Sequence, residues 1–344
     1  METQNQKIDF VILWVDGNDP EWKKQKDNYF QQCFGNTKDE NGDNRFREWD
    51  QLKYWFRGVE KNAPWVNKIH FVTWGHLPKW LNTAHPKLHI VRHEEIIPNQ
   101  FLPVFSSHAI EICINRIKGL SERFVYFNDD LFLLAPVPET MYFQDGLPRC
   151  DASLHPFPTN APAGHFYSCI NLQNMNLINR NFSCCEVIRK HWRRFIHPTY
   201  GYYRNKSTLL YLPWRRRYFP FFIPSHSPSP FLKSVFDEVW EKEEKALLNT
   251  CGHRFRSYDD VNQYLFTYWQ ICEGRFFPTN PDAYFTYTHV SGDLDRICQI
   301  IMNPDKPSIC INDNVKDWDI FIDSKEKINR AFDTLFPKKC SFEI

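Results

Sequence analysis

The chain has 344 residues and a formal charge of +1, from 42 Lys and Arg against 41 Asp and Glu; the length allows one large domain or two medium ones, and the balance excludes the strongly basic footprint of a nucleic-acid binder. Aromatic residues make up 17% of the chain, with 12 Trp, which fits a folded protein with stacking surfaces and not a disordered one. The 11 Cys are scattered without a Cys-x-x-Cys, which points to reduced thiols in a cytoplasmic, soluble protein rather than to a zinc site or disulfide framework, and no apolar run has leader-like or membrane-spanning character.

In chain order, strand-like runs at 8–15, 68–74, 88–92 and 123–127 alternate with helix-like stretches at 49–61, 77–82 and 107–118. Short strands apolar on both faces indicate a parallel sheet covered by helices. Such sheets bind ligands outside the carboxyl ends of their strands. Those ends read Asp16-Gly-Asn-Asp19-Pro, Thr73-Trp-Gly-His76, His93-Glu94-Glu95 and Asn128-Asp129-Asp130. Loop polarity accounts for each end singly, but not for the lack of Lys and Arg at all of them. The fold class expected is α/β, a Rossmann-like, mostly parallel sheet flanked by helices, with residues 1–139 as the N-terminal part of its core.

Residues 140–222 break the alternation with Pro- and Asn-rich loops and two basic-aromatic clusters, and are expected to form an inserted irregular or helical subdomain. Residues 223–344 then complete the core. Ser229 and Pro230 read as the cap and first residue of a helix over 230–248. A second helix is expected over 260–272, a short strand opens 308–317, and a capping box at Asp323 starts a last helix running to 336.

The acidic strand end carries the first chemistry. Side chains alternate in extended chain, so Asn128 and Asp130 should share one side while Asp129 points away. Hard oxygen ligands of this kind suit Mg²⁺ or Mn²⁺. An Asx-turn competes with that reading for an isolated pair; the neighbouring acids Asp16 and Asp19 tip it toward a metal. His108, Glu111 and Asn115 fall on one helix face, where Glu111 taken alone reads as a solvated carboxylate. His226 lies just ahead of the helix expected at 230, a position that attracts phosphate oxygens. Arg254 and Arg256 alternate onto one side of an extended segment, and guanidinium forks match phosphate. Together these groups equip an α/β crevice for metal-assisted reaction of a nucleotide-linked phosphate.

The stretches "DFVILWVDGNDPEW", "REWDQLKYWFRGVEKNAPWVNKIHFVTWGHLPKWL", "LPVFSSHAIEICINRIKGLSERFVYFNDDLF", "PSHSPSPF" with "HRFRSYDDVNQYLF", and "CINDNVKD" resemble, in order, the conserved regions of the Stealth family. The resemblance implies a fold akin to GT-A nucleotide-sugar transferases. It implies transfer of a hexose-1-phosphate, such as an N-acetylhexosamine-1-phosphate, from a UDP-sugar to a hydroxyl of a glycan acceptor in capsule or exopolysaccharide synthesis, with UMP released. The family's functional residues fall on Glu111, Asp130, His226 and Arg256, and its last motif on Asn312-Asp313-Asn314. The chain departs from the family's His-Arg-Ile at Asn115, while keeping Arg116. The expected metal ligands are Asp130, Asp129 and Asp313; the expected donor-binding residues are Trp14, Asp16, Asp19, Arg116, Asn128, Arg254 and Asn314. Two rivals stand beside this reading: a GT-A glycosyltransferase that releases UDP, and a non-catalytic glycan- or membrane-binding module. The 214–222 stretch sets Trp214, Arg215, Arg216 and Arg217 against Phe219, Phe221 and Phe222. It is weighed evenly as a peripheral contact with the inner face of the plasma membrane, suited to a lipid-linked oligosaccharide acceptor, and as an acceptor wall.

Overall fold

The computed structural model describes residues 7–35, 46–157, 166–212 and 217–344. β1 (Ile8–Leu13) leads into α1 (Pro20–Phe34), whose first turn is capped by the Asp19 carboxylate accepting from Trp22 N at 2.9 Å. Then come α2 (Leu52–Asn62), β2 (Ile69–Thr73), β3 (Leu88–Arg92) and the single turn α3 (His93–Ile96). α4 (Ser107–Glu111), β4 (Arg123–Phe127) and β5 (Leu131–Leu133) follow. The next segment holds β6 (Phe143–Gln144), β7 (Leu147–Cys150), α5 (Phe166–Asn181), α6 (Cys184–Phe195) and α7 (Gly201–Tyr211). β8 (Ser229–Leu232), α8 (Lys233–Gly252), α9 (Tyr264–Cys272) and β9 (Phe277–Pro278) come next. β10 (Phe285–His289), α10 (Leu294–Met302), β11 (Ser308–Asn312) and α11 (Trp318–Leu335) complete the described chain.

The main sheet has the order β3-β2-β1-β4-β8, with the first four strands parallel and β8 antiparallel to β4. Every residue of β1 and β2 is buried, as a sheet covered on both faces requires. Successive strands step outward from β1 to β3, and the chain then returns past β1 to β4. The strand order therefore reverses between β1 and β4, which opens a crevice at their carboxyl ends.

β5 leaves this sheet and pairs antiparallel with β11 in a second one, ordered β10-β11-β5. The Asn128–Asp130 turn is thus held from both ends, by β4 in one sheet and β5 in the other. Ile311 N adds a bond of 3.0 Å to the Asp130 carbonyl. α2 lies so close over β5 that a Cβ on Gly58 would stand 2.6 Å from the Leu133 carbonyl oxygen. Gly58→Ala is therefore expected to lower stability by about 1–3 kcal/mol, as overpacked core positions do. The check is a fall in denaturant midpoint at unchanged m-value.

Four expectations are corrected. No helix forms at 77–82, which is turns and a bridge. The helix expected over 107–118 ends at Glu111 and continues only as a 3-10 turn, Ile114–Arg116. Ser229 and Pro230 lie in β8, not in a helix; β8 is an edge strand, where a missing N–H is tolerated. The last helix begins at Trp318, capped by Asp317, and its periodicity is hidden because Trp318, Ile320 and Ile322 all face solvent. Of the 214–222 stretch, Trp214, Arg215 and Arg216 lie outside the described residues. Phe219, Phe221 and Phe222 are buried in the main core, so they cannot anchor a membrane, and of the described part Arg217 and Tyr218 alone face outward fully. Among the described residues no helix is long and apolar enough to cross a membrane.

Candidate active site

A cleft of about 850 Å³ opens at the carboxyl ends of β1 and β4. Its floor is the acidic turn. Asn128 and Asp130 both face His226, with Asn128 Nδ2 3.3 Å and Asp130 Oδ2 3.2 Å from its Nε2, but they do so from a turn beyond β4 and not from extended chain, and Asp129 lines the same cleft instead of pointing away. The Cys310 thiol of β11 donates to the same Asp130 oxygen at 3.2 Å. Asp130 Oδ1 is buried and has no hydrogen-bond partner. His226 comes from the segment ahead of β8, and its Nδ1 meets the Tyr264 hydroxyl of α9 at 3.3 Å.

Glu111 closes the cluster from behind. It is 3% exposed, which overturns its reading as a solvated helix carboxylate: α4 is one short turn packed against α8, and Glu111 is turned inward to the Tyr126 hydroxyl of β4. The Tyr126 hydroxyl lies 3.2 Å from Glu111 Oε1 and 2.5 Å from Asn128 Oδ1. A hydroxyl has one proton to give, so the two acceptors share it. Glu111 Oε2 is buried without a partner.

Burial by itself would push Asp130 up, but the charge and hydrogen bond of His226 outweigh it and hold the carboxyl below its ordinary value. The reverse holds for His226: burial favours the neutral ring, yet Asp130 and then Glu111 raise it. Asp129 opens into the cleft from the opposite side of the turn. The surrounding protein, with the charge of Asp130 beside it, pushes its carboxyl up to about 7. Glu48 behaves alike, raised to about 7 by burial with a further push from Asp129, although Asp50 N and Trp14 Nε1 donate to it at 2.7 and 2.9 Å. Glu48 escapes sequence reasoning because it sits in an irregular lead-in to α2 with no motif spacing; its one legible signal is a carboxylate between Arg47 and Trp49 in an aromatic run.

Arg256 enters the cleft from the opposite wall, where its Nη2 donates to Ser107 Oγ at 3.0 Å. Its loop is clamped by Asp260, which is fully buried. That carboxylate meets His108 Nδ1 at 2.9 Å and His253 Nδ1 at 2.7 Å, and accepts from Ser257 N at 3.0 Å. One acid thereby joins α4 to the segment that carries Arg256. The hydrogen bond to Asp260 raises His253 above its ordinary value. A raised histidine stabilises the fold fully below its unfolded pKa, about 6.5, and that contribution fades as pH rises through the folded value. Amide exchange across 253–260 is thus expected to accelerate, beyond its intrinsic rate increase, on going from acid to alkaline pH. Protection unchanged across that window would remove this role for His253.

Other sequence candidates go elsewhere. Trp14 lines the cleft, but Asp16 and Asp19 do not. The Asp16 carboxylate accepts from Asn18 N at 2.9 Å, and Asp19 is spent capping α1. Arg116 stacks 4.2 Å over Trp240 outside the cleft. Arg254 does not share a side with Arg256, because the segment is irregular rather than a strand; it stacks 4.7 Å over Tyr29 and donates to the Phe101 and Pro103 carbonyls at 3.2 and 3.3 Å. Asn314 bonds Ser291. Asp313 lines the cleft, yet Arg47 holds it with two bonds of 2.8 Å, and Trp49 Nε1 donates to it at 3.1 Å. A carboxylate already matched to a guanidinium is a poor metal ligand.

The residues present do fit a divalent cation at the acidic turn. Asp130 offers an orphaned buried oxygen, and Asp129 and Glu48, each pushed up to about 7 by burial and further by a neighbouring carboxylate, line the same cleft. Asp130, His226 and Cys310 present ligand atoms within 4.8 Å of one another. The Cys310 thiol, however, is raised well above its ordinary value by burial and by Asp130, so it serves as a hydrogen-bond donor. Carboxylate oxygens are the ligand type that suits a hard ion.

Stealth protein CR1, conserved region 1, matches residues 6–29, and Stealth protein CR2, conserved region 2, matches residues 45–150. The chain is 43% identical over 347 residues to the receptor polysaccharide phosphotransferase WefC of Streptococcus gordonii, covering 98% of this chain and 99% of that one. It is 39% identical over 338 residues to a capsular polysaccharide phosphotransferase WcwK of Streptococcus pneumoniae, covering 98% of each. Among solved structures, the glycosyltransferase GlyE of Streptococcus pneumoniae TIGR4 aligns over 98% of this chain and 64% of its own, at 9% identity and a TM-score of 0.39, a likeness too slight to argue from. Region 1 supplies β1 and the start of α1, and region 2 supplies the strands and helices that build the acidic turn. With that match, and with identity near that level over both full lengths, the chain belongs to the Stealth family of phosphotransferases.

Proposed function

We propose that the protein transfers a hexose-1-phosphate unit from a UDP-sugar to a hydroxyl of a glycan acceptor, in the synthesis of a surface polysaccharide. The observation that carries this reading is the Asp130–His226 pair on the cleft floor with Arg256 facing it: an acid–base group and a guanidinium about one cleft, beside carboxylates short of a cation. The names of the full-length relatives, both polysaccharide phosphotransferases, support it.

In the reaction the acceptor oxygen forms a bond to the sugar-proximal phosphorus, and the bridging P–O bond to the nucleotide breaks. The electron pair leaves on the phosphate of UMP, while the anomeric C–O bond stays intact. A departing phosphate needs no proton near neutral pH, so the proton to be managed is that of the acceptor hydroxyl. His226 takes it, and Asp130, beside Nε2, stabilises the imidazolium that results. Glu111 is a positioning residue, acting through Tyr126 and Asn128. Arg256 stabilises charge growing on the transferring phosphoryl oxygens. Asp130 and Asp129 would hold Mg²⁺ or Mn²⁺, which supplies charge neutralisation on the diphosphate. The reading is tested by incubating the protein with UDP-hexoses and a glycan acceptor and identifying the released nucleotide. UMP, formed only with Mg²⁺ or Mn²⁺ present, is expected. Release of UDP would replace phosphotransfer by glycosyl transfer.

A further inference from the structure

α7 is built inside out. Its inward side chains are polar: Arg204 pairs with Asp151 and Asp282 at 2.8 and 2.9 Å, Asn205 donates to the His197 and Gly201 carbonyls, and Ser207 and Thr208 bond the backbone of Leu154. Its outward side carries Tyr202, Tyr203, Leu209 and Leu210, which are 71%, 84%, 59% and 71% exposed, around the exposed Lys206. Spacings of three, four and seven residues place all five on one stripe. A surface helix in water shows the opposite arrangement, and a contiguous exposed apolar stripe marks a surface that something covers.

Charge identifies what covers it. From Val187 to Phe236 the chain has ten Lys or Arg and no Asp or Glu, although the whole chain is almost neutral. Of these, Arg189, Lys190, Arg193, Lys206 and Arg217 are exposed. Three exposed aromatics of this region carry a cation: Lys206 lies 5.8 Å from the Tyr202 ring, Arg193 5.4 Å from Trp192, and Arg217 5.6 Å from Tyr218. A second copy docked face to face would set like charge against like. Exposed apolar side chains around Lys206, in a segment rich in cations and free of acids, instead match the boundary between the acyl chains and headgroups of an anionic bilayer.

We propose that the Tyr202, Tyr203, Lys206, Leu209 and Leu210 face of α7 docks the protein onto an anionic phospholipid surface. Arg204 reaches the cleft from the other side of the same helix, so the bilayer lies roughly one helix diameter, ~10 Å, from the cleft wall. The proposal does not depend on the reaction, and vesicle binding without substrates tests it separately.

The full-length protein is sedimented with vesicles of phosphatidylcholine, with and without phosphatidylglycerol, at low and raised salt. Binding is expected with phosphatidylglycerol alone, and weakens as salt screens it. Tyr203→Ser combined with Leu210→Ser should weaken binding on the order of tenfold at unchanged Tm. Lys206→Glu, a second change at an exposed position, should weaken it without touching the apolar area. A wild-type protein that ignores phosphatidylglycerol vesicles overturns the proposal, as does undiminished binding by the folded variants. So does a dimer in solution that the double variant dissolves while vesicles fail to bind, since that assigns the face to a second copy.

Discussion

Asp130→Asn is expected to lower kcat by about 10²–10⁴-fold, with the thermal midpoint nearly unchanged. The change keeps the volume, the bond from Cys310 and the register of the turn, and removes one charge. Two things fail together: the orphaned buried oxygen no longer holds a cation, and His226 loses the counter-ion that raises it. The pH profile separates these from simple damage. A histidine acting as base must be unprotonated, so turnover should climb with pH through the raised His226 value, above its ordinary value of about 6.5. With Asp130 neutral, that raising partner is gone, and the acid limb of the residual activity should move to lower pH. An Asn variant that turns over at the wild-type rate would falsify the assignment of Asp130.

His226→Ala should cost a comparable factor, about 10²–10⁴-fold in kcat, and should flatten the acid limb instead of moving it. His226 and Asp130 act as one unit, 3.2 Å apart. Losses in such a unit do not add, so the double variant should be little worse than the more damaged single one. Multiplying losses in the double variant, measured as kcat with saturating donor, would mean that the two residues serve separate steps. Arg256 offers an internal comparison. It reaches the cleft from the opposite wall, bonded to Ser107, and its removal should combine with either loss more nearly independently.

Much of this was legible in the chain. The parallel strands were, because continuous apolar runs bounded by polar ends leave few alternatives. Asn128 and Asp130 do meet one partner, His226, but through a turn that alternation does not describe. What escaped depended on long-range contacts. Glu111 read as solvated because nothing local reveals that α4 ends after one turn and lies against Tyr126. Pro230 imitates a helix start as well as it fits an edge strand, and pairing with β4 decided the matter. Arg254 and Arg256 look equivalent two positions apart, but the loop turns between them and sends one to backbone carbonyls. Asp313 looked like a metal ligand until Arg47, far away in sequence, claimed it. Asp260 is the converse: no motif singles it out, and it proves to be the buried link between two histidines.

The acidic turn owes its shape to strands from both ends of the polypeptide. Asp130 and the thiol that grips it are 180 positions apart, and β5 has no partner until β11 emerges. On the ribosome, the first four strands can associate long before that, with the turn at their edge not yet fixed. The proposed catalytic centre is therefore among the last things the nascent chain acquires.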